Sequence, residues 1–525
     1  MQLQVKSKQV PIFYGVILII LVLGFGLRLL RLEQYPTGVN QDELSNIYDG
    51  YAIAETGADR WGLHFPVILR GFGRLDYRPP MYAWLSAATI QVFGFSVFAG
   101  RLVSAVLGCG SLVLGYLVAR RLGGRLFAYF ALLLAALSPW HIIFSRTASE
   151  GTMLPPFFLI GACYLWQRAK EADYKPLSLV LLGLCIGLGT NTYQAGKLLF
   201  FLFAGLVVVD IWVSRRQVYA RAALFGAACL VGVIPQLIAL ATMPSQFFSR
   251  ASGTTEKFSP TFSFFSSLLR KIYSYFSADF LFFDFENPNN LSISRLLTTE
   301  CLAFYFGLFF LYKVLSKKQV LKPAYIYFLL FITVLPGALT PESPHALRAA
   351  GLVVLLPFIT AAGIIFLYRH ISRRWLQAVF LVVATFMIAW NALFFSKRYV
   401  RSEELRGTNM QVVLVEATKK LNTYKGRFEH FYIDNEGNEP YIYVLAFCEI
   451  KPQDFQKMHK KIRYAEWDDF KQMGPYYFVN RAAIAESLRN ESAKSLILLR
   501  EKNPHYQVID SVRYLDEKMY FYSYN

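Results

Sequence analysis

The sequence is short of what a soluble or nucleic-acid-binding protein of its length needs. Only 17% of its 525 residues are charged while 55% are hydrophobic, a balance with too little polar surface for water to be the main solvent. Of its six cysteines, Cys109, Cys163, Cys185, Cys229 and Cys301 lie in or beside apolar runs, and Cys448 has no partner in the tail, so no disulfide framework is indicated. There is no close-spaced His/Cys metal motif, no glycine loop to cradle a phosphate and no nucleophile elbow. Fixed-period repeats and low-complexity segments are also lacking. Acidic residues are scarce in the first 400 positions, 17 against 35 Lys and Arg, whereas residues 401–525 carry 18 against 19. The net charge of +19 therefore belongs to the apolar part, where basic residues come in short clusters between apolar runs. That pattern sets membrane topology and argues against nucleic acid as partner.

What is present is a series of apolar runs long enough to span a bilayer, at about 12–30, 101–119, 126–144, 153–167, 177–190, 197–213, 222–241, 299–313, 324–338, 348–368 and 376–395. The first follows Lys6 and Lys8 and lacks a small-residue cleavage site, so it reads as a retained helix. The clusters Arg120/Arg121/Arg125, Arg168/Lys170/Lys175, Arg215/Arg216/Arg221, Lys313/Lys317/Lys318/Lys322 and Arg369/Arg373/Arg374 then all fall on the side of Lys6 and Lys8, the cytoplasmic one. This holds only if the apolar stretch from Pro79 to Phe95 does not cross, so it is expected to be an interfacial helix introduced by Pro79-Pro80. The reading is a polytopic α-helical protein of the plasma (inner) membrane. Residues 1–398 form the transmembrane domain, with a first extracytoplasmic loop at 31–100, a second at 242–298 and short outer turns near 145–152, 191–196 and 339–347. Residues 399–525 form a small extracytoplasmic α/β domain, because short aromatic runs near 431–433, 476–479, 495–499 and 519–522 alternate with helical patterns near 410–423 and 481–490.

The sharpest local feature is Asn40-Gln41-Asp42-Glu43, at the head of a segment whose Leu44, Ile47, Tyr48, Tyr51 and Ala54 share one helical face. The bland reading is a capping box, with Asn40 as N-cap and Glu43 at N3. Asp42 then sits at N2, where the helix dipole keeps a carboxylate ionised and able to act as a base. Arg74, Asp76 and Arg78 precede Pro79-Pro80-Met81-Tyr82, and Arg146 and Glu150 fall in an outer turn; Glu150 reads equally as a carboxylate stabilising a helix start, and interfacial arginines equally as snorkelling. Ser343-Pro344 reads as an N-cap and N1 pair that puts His345 and Arg348 in a helical first turn, where a cation opposes the dipole and calls for an anion. Tyr193 and Lys197, flanking Gly196, repeat that arrangement, and a phosphate at the membrane surface answers both. Asp210 reads as a snorkelling residue near a helix end and His141 as an interface residue, neither with a functional role.

In order along the chain, Asp42-Glu43, Gly57-Ala-Asp-Arg-Trp-Gly62-Leu-His-Phe-Pro66, Arg78-Pro-Pro-Met-Tyr82, Phe93-Gly94, Arg101-Leu102, Ala119-Arg-Arg-Leu122, Ser138-Pro139-Trp140 and Ser145-Arg146 through Glu150 closely resemble the ArnT/protein O-mannosyltransferase group of GT-C glycosyltransferases. The resemblance covers residues 10–200 well, His345–Pro357 moderately and the tail hardly at all. It implies a GT-C fold with juxtamembrane helices in the first outer loop, and a polyprenyl-phosphate-linked sugar as donor. It also implies that Asp42 is the catalytic carboxylate, with Glu43 beside it and Glu150 as the second acidic residue, and that Arg78, His345 and Arg348 contact the donor phosphate, which Lys197 is placed at the outer interface to hold as well. Tyr82, Arg146 and Tyr193 are the remaining substrate-binding candidates. No cofactor is assigned; a divalent metal, if one is used, falls to Asp42 and Glu150. The expected partners are the polyprenyl-phosphate sugar, a lipid, glycan or protein acceptor of the cell envelope, and membrane lipid. The expected reaction is an inverting transfer on the outer face. A transporter or lipid flippase is the rival, and it calls for mid-membrane charges and internal symmetry that the sequence does not display. A ligand-binding receptor is a third reading, and it leaves the Asp42-Glu43 pair idle.

Overall fold

In a computed structural model of the chain the described residues are 2–72, 76–213, 218–283, 294–315, 321–401, 410–435, 439–459, 472–489 and 493–524. Arg74, Arg215, Arg216, Lys317 and Lys318 lie outside them, as do the side chains of Lys6 and Lys8. The elements run α1 (Gln2–Leu29), α2 (Gln41–Thr56), β1 (Leu69–Arg70), β2 (Tyr77–Arg78), α3 (Met81–Phe93), α4 (Val97–Leu137), α5 (Pro139–Phe144), α6 (Leu154–Glu171), α7 (Pro176–Gly189), α8 (Gln194–Val213) and α9 (Val218–Thr242). They continue through α10 (Pro244–Thr254), α11 (Phe262–Ser274), α12 (Cys301–Val314), α13 (Pro323–Ala338), α14 (Leu352–Arg369) and α15 (Arg374–Arg401) into a tail of short helices and strands β3 to β8. Two compact units result, Met1–Leu30 with Ser104–Tyr399 and Arg31–Val103 with Val400–Asn525.

The first unit is helical, and the expected apolar runs fall on its helices, with 126–144 divided between α4 and α5. Val97–Leu137, Gln194–Val213, Val218–Thr242, Leu352–Arg369 and Arg374–Arg401 are long and apolar enough to cross a membrane, and Phe13–Leu29, Pro176–Gly189 and Pro323–Ala338 are shorter apolar helices. Two expectations need correction. The runs at 101–119 and 126–144 do fall in two helical segments of α4 that meet at a kink where Gly124 adopts φ 80°, but the second segment ends at Leu137, before Ser138 caps the separate α5. Ser343-Pro344 does not open a helix: His345 is non-helical, Arg348 lies in the 3-10 turn Leu347–Ala349, and α14 starts at Leu352.

Glycine lets the helices meet closely. A Cβ on Gly307 of α12 would stand 1.8 Å from Ile359 O of α14, and one on Gly363 of α14 would stand 1.7 Å from Ala303 O, the small-residue packing that replaces hydrophobic drive within lipid. Buried polar groups are heavily bonded. Asp210, expected to snorkel, is instead buried and accepts from Trp166 Nε1 (2.9 Å), Lys170 Nζ (2.7 and 2.8 Å), Tyr325 OH (2.6 Å) and Tyr174 OH, tying α6, α8 and α13 together. His141 is likewise buried rather than interfacial, with Nδ1 2.9 Å from Arg28 Nη2 and Nε2 2.9 Å from Ser111 Oγ. Arg28 can only donate, so Nδ1 accepts and the ring proton faces Ser111.

The second unit joins residues 31–103 to the tail, residues that the sequence reading grouped with the membrane domain. With β4 at Gln472–Met473, β7 at Gln507–Tyr514 and β8 at Glu517–Tyr524, its sheet runs β4-β5-β3-β6-β8-β7, and β3 (His430–Asp434) is parallel to both β5 (Tyr476–Val479) and β6 (Ser495–Leu499). Period-2 alternation splits the sheet faces. Phe431, Ile433, Leu496 and Leu498 enter one core, while Tyr432, Ile497 and Leu499 enter another beneath the helix Arg481–Leu488. The first of these cores also takes Val39, Leu44 and Tyr48 from the loop. Their partners are Val413, Leu414, Ile442 and Tyr443 from the tail, so the tail covers the Leu44 and Tyr48 part of the apolar face expected of α2, while Ala54 packs against the cluster of Leu69, Ala83 and Ala87. The helix expected after Pro79-Pro80 is α3, whose 13 residues are too few to span a bilayer. It crosses α2 so closely that a Cβ on Gly50 would meet Ser86 Cβ at 2.6 Å.

Candidate active site

In the second unit, Asn40 caps α2 as expected, its Oδ1 accepting from Asp42 N at 2.8 Å. Asp42 is exposed in the first turn, so the carboxylate meets solvent and the positive end of the helix dipole. Its sequence neighbour fares differently. Glu43 is fully buried and takes both oxygens to Arg101, Nε to Oε1 at 2.7 Å and Nη2 to Oε2 at 3.1 Å, the bidentate pairing that suits guanidinium and carboxylate. Arg101 also donates to Pro36 O (2.9 Å), Leu32 O (3.2 Å) and Gly38 O (2.7 Å), which fixes the strand of chain leading into α2. Glu43 thus holds that segment through Arg101.

Arg78, expected on the donor phosphate, is buried, with Nη2 3.1 Å from Asp49 Oδ2 and 2.5 Å from Ser45 Oγ. Arg60 shares both partners, at 2.8 Å to Asp49 Oδ2 and 2.6 Å to Ser45 Oγ. Two guanidinium groups therefore converge on one carboxylate. Asp49, Arg60 and Ser45 were not singled out from the sequence, although Asp42, Ser45 and Asp49 repeat at i, i+3 and i+7 on one face of α2, a polar stripe that period-3.6 reading can find. Next to this cluster Asp59 accepts from Trp61 N (3.0 Å) and Leu63 N (2.9 Å). Burial, reinforced by the Asp49 charge, pushes its carboxyl up to about 7. Tyr82 is buried, and its hydroxyl donates to Gly100 O at 3.0 Å, a packing role.

In the first unit, Glu150 is buried in the turn before α6, three residues ahead of the N-cap Met153 and so outside the helical first turn that the bland reading required. The turn is held by Ser104 Oγ, which donates to Thr147 O at 2.7 Å. Tyr193 packs its ring on Gly151, where a Cβ would meet Cε2 at 3.3 Å. Tyr193 and Arg348 line one small gap with Gly196, Thr333 and Gly351, so the structure brings these two candidates together beside the Glu150 turn. Arg146 caps the end of α1, donating to Leu27 O (2.9 Å) and Leu30 O (3.0 Å), which meets the negative pole of that helix. Lys197, one turn along α8 from Tyr193, stands 3.9 Å above the Phe247 ring in a cation–π contact.

The anion called for by Arg348 is present within the chain. Arg348 Nη2 donates to Glu342 Oε2 at 2.9 Å, and Nη1 donates to Thr340 Oγ1 at 2.7 Å. His345 donates its backbone N–H to Tyr275 OH at 3.1 Å. Burial, helped by the Arg348 charge, pulls its imidazole down to about 4, so at neutral pH the ring offers an N–H donor and no positive charge. Among the described residues no three His, Cys, Asp or Glu side chains are grouped to hold a metal ion.

Residues 77–238 match the family model of dolichyl-phosphate-mannose-protein mannosyltransferase. No curated protein matches the chain. Among solved structures, ArnT from Cupriavidus metallidurans bound to undecaprenyl phosphate is similar at TM-score 0.59 and 13% identity, with 98% of each chain covered. The apo state of that protein gives TM-score 0.52 at 13% identity over the same 98% of each chain. The apo oligosaccharyltransferase of Archaeoglobus fulgidus gives TM-score 0.50 at 15% identity, covering 93% of this chain and 69% of that one. In fold and in its matching 77–238 segment, the chain is similar to the GT-C glycosyltransferases of the ArnT and protein O-mannosyltransferase group.

Proposed function

We propose that this protein is a multi-pass membrane glycosyltransferase that moves a sugar from a polyprenyl-phosphate donor to a hydroxyl of a cell-envelope acceptor on the extracytoplasmic face, with inversion. The observation that carries the proposal is Asp42: an exposed carboxylate at a capped helix start, in a chain similar over 98% of its length to a protein bound to undecaprenyl phosphate. Asp42 takes the proton of the acceptor hydroxyl as its oxygen bonds the anomeric carbon. The bond from that carbon to the phosphate oxygen breaks, and the electron pair leaves with the polyprenyl phosphate. A phosphate departs without a general acid, so one base suffices. Arg348 and Lys197 are assigned to the donor phosphate, Arg348 by exchanging its Glu342 partner for the ligand, and His345 as a neutral N–H donor. Glu150 and Tyr193 are assigned to sugar or acceptor hydroxyls, and Glu43, Arg78, Tyr82 and Arg146 to holding the framework.

The test is transfer of label from undecaprenyl-phosphate- and dolichyl-phosphate-linked sugars to envelope fractions by the protein in lipid nanodiscs. Transfer by the native chain is expected with at least one donor. Failure with all of them, from protein that binds undecaprenyl phosphate normally, counts against the function.

A further inference from the structure

We infer that the C-terminal segment positions the candidate base: Met410, Glu439 and Tyr443 hold the backbone and side chains of residues 39–41, and through them set where the Asp42 carboxylate stands. The inference rests on the reading of Asp42 as base. Both backbone groups of Val39 are bound by the tail, its N–H donating to Met410 O at 2.7 Å and its carbonyl accepting from Tyr443 OH at 3.0 Å. Gln41 Oε1 accepts from Glu439 N at 3.3 Å. The chain passes so near Met410 that residue 38 must be glycine: Gly38 has φ +79°, and a Cβ there would lie 2.3 Å from Met410 O. Nearly two turns further along α2, Tyr48 OH donates to Ile450 O at 2.8 Å, so the tail grips the helix on both sides of Asp42.

The opposite flank of the same segment is held by Arg101 through Pro36 O, Gly38 O and Glu43. Asp42 is exposed in the first turn and its amide is capped by Asn40, so the backbone that carries it is the segment held on both flanks. Tyr443 is buried, and burial together with Glu43 and Asp42 holds its phenol well above the ordinary range. It therefore stays a donor at every physiological pH. The tail is then part of the catalytic framework, and an independently docking acceptor module is not needed to explain its presence.

The experiment compares Tyr443→Phe and Gly38→Ala with Asp42→Asn in the full chain in nanodiscs. It reads kcat and donor KM for the polyprenyl-phosphate-linked sugar that the native chain turns over, and hydrogen exchange of the amides of residues 39–44. Tyr443→Phe is expected to lower kcat about 10- to 100-fold with donor KM within about twofold, to keep the midpoint of the pH–kcat profile while lowering its plateau, and to speed exchange at residues 39–42. Native kcat and native exchange in Tyr443→Phe, with Asp42→Asn inactive, overturn the positioning role alone. Full activity in Asp42→Asn overturns the reading on which it rests. Should Gly38→Ala not fold, Tyr443→Phe decides.

Discussion

Adjacent carboxylates meet opposite fates at the head of α2, and each makes a distinct prediction. Glu43 and Arg101 form a buried pair, so Arg101→Met leaves an uncompensated charge and is expected to cost about 3–5 kcal/mol, read as a large fall in the unfolding midpoint. Asp42→Asn is expected to leave that midpoint within about 0.5 kcal/mol of native, as exposed substitutions do. An unchanged midpoint in Arg101→Met contradicts the account of Glu43 as a framework residue. Asp59 gives a pH dependence. Its folded carboxyl is raised from 3.8 to about 7, so its contribution is full below 3.8 and is lost as pH rises through 7. Asp59→Asn should therefore stabilise the protein more at pH 8 than at pH 5, and equal effects at both refute the assignment. The cap at Asn40 and the place of Asp42 were legible because they depend on spacing within four residues. The partner of Glu43 was not, since Arg101 lies 58 positions away and a single sequence carries no trace of that pairing. Arg78 was read as awaiting an outside anion for the same reason, since Asp49 lies 29 positions away, whereas Glu342 stands only six residues before Arg348 and was missed because the expected helix start at Ser343-Pro344 drew the reading forward.

Helices of the first unit are held by two devices, close glycine crossings and polar hubs. Gly363→Val drives a side chain into the Ala303 carbonyl, so α12 and α14 must separate. Overpacking of this kind costs about 1–3 kcal/mol or more, visible as a lowered unfolding midpoint in detergent, and a native midpoint contradicts the crossing. Asp210→Ala strips the shared acceptor from Trp166, Lys170, Tyr174 and Tyr325 and leaves Lys170 without its carboxylate. An expected loss of about 3–5 kcal/mol separates this hub from a snorkelling residue, whose removal would barely register. The apolar runs themselves were readable by length, and so was α3 by charge parity and its paired prolines. Helix ends were less so. The break at Gly124 was announced by Arg120, Arg121 and Arg125, but the one at Ser138-Pro139 lies inside an apolar run, and Ser343-Pro344 looks like a helix start although α14 begins only at Leu352.

Loop one and the tail, 300 residues apart in sequence, make one unit with one core. The aromatic runs of the tail were legible as strands because alternation is local. Their shared core with Val39, Leu44 and Tyr48 was not, because an amphipathic helix states that its apolar face is covered and not by what. Ending the chain after Tyr399 is accordingly expected to expose that face and make residues 31–103 sensitive to limited proteolysis; protection equal to the native chain contradicts the shared core. The similarity of the chain to ArnT over 98% of both lengths concerns the fold, and the chemistry rests on one carboxylate. Label transfer from polyprenyl-phosphate-linked sugars, measured for the native chain and for Asp42→Asn in the same nanodiscs, tests that claim most directly. The account predicts transfer by the native chain and a loss of about 10²- to 10⁴-fold in the variant with its unfolding midpoint intact, whereas undiminished transfer by Asp42→Asn contradicts it.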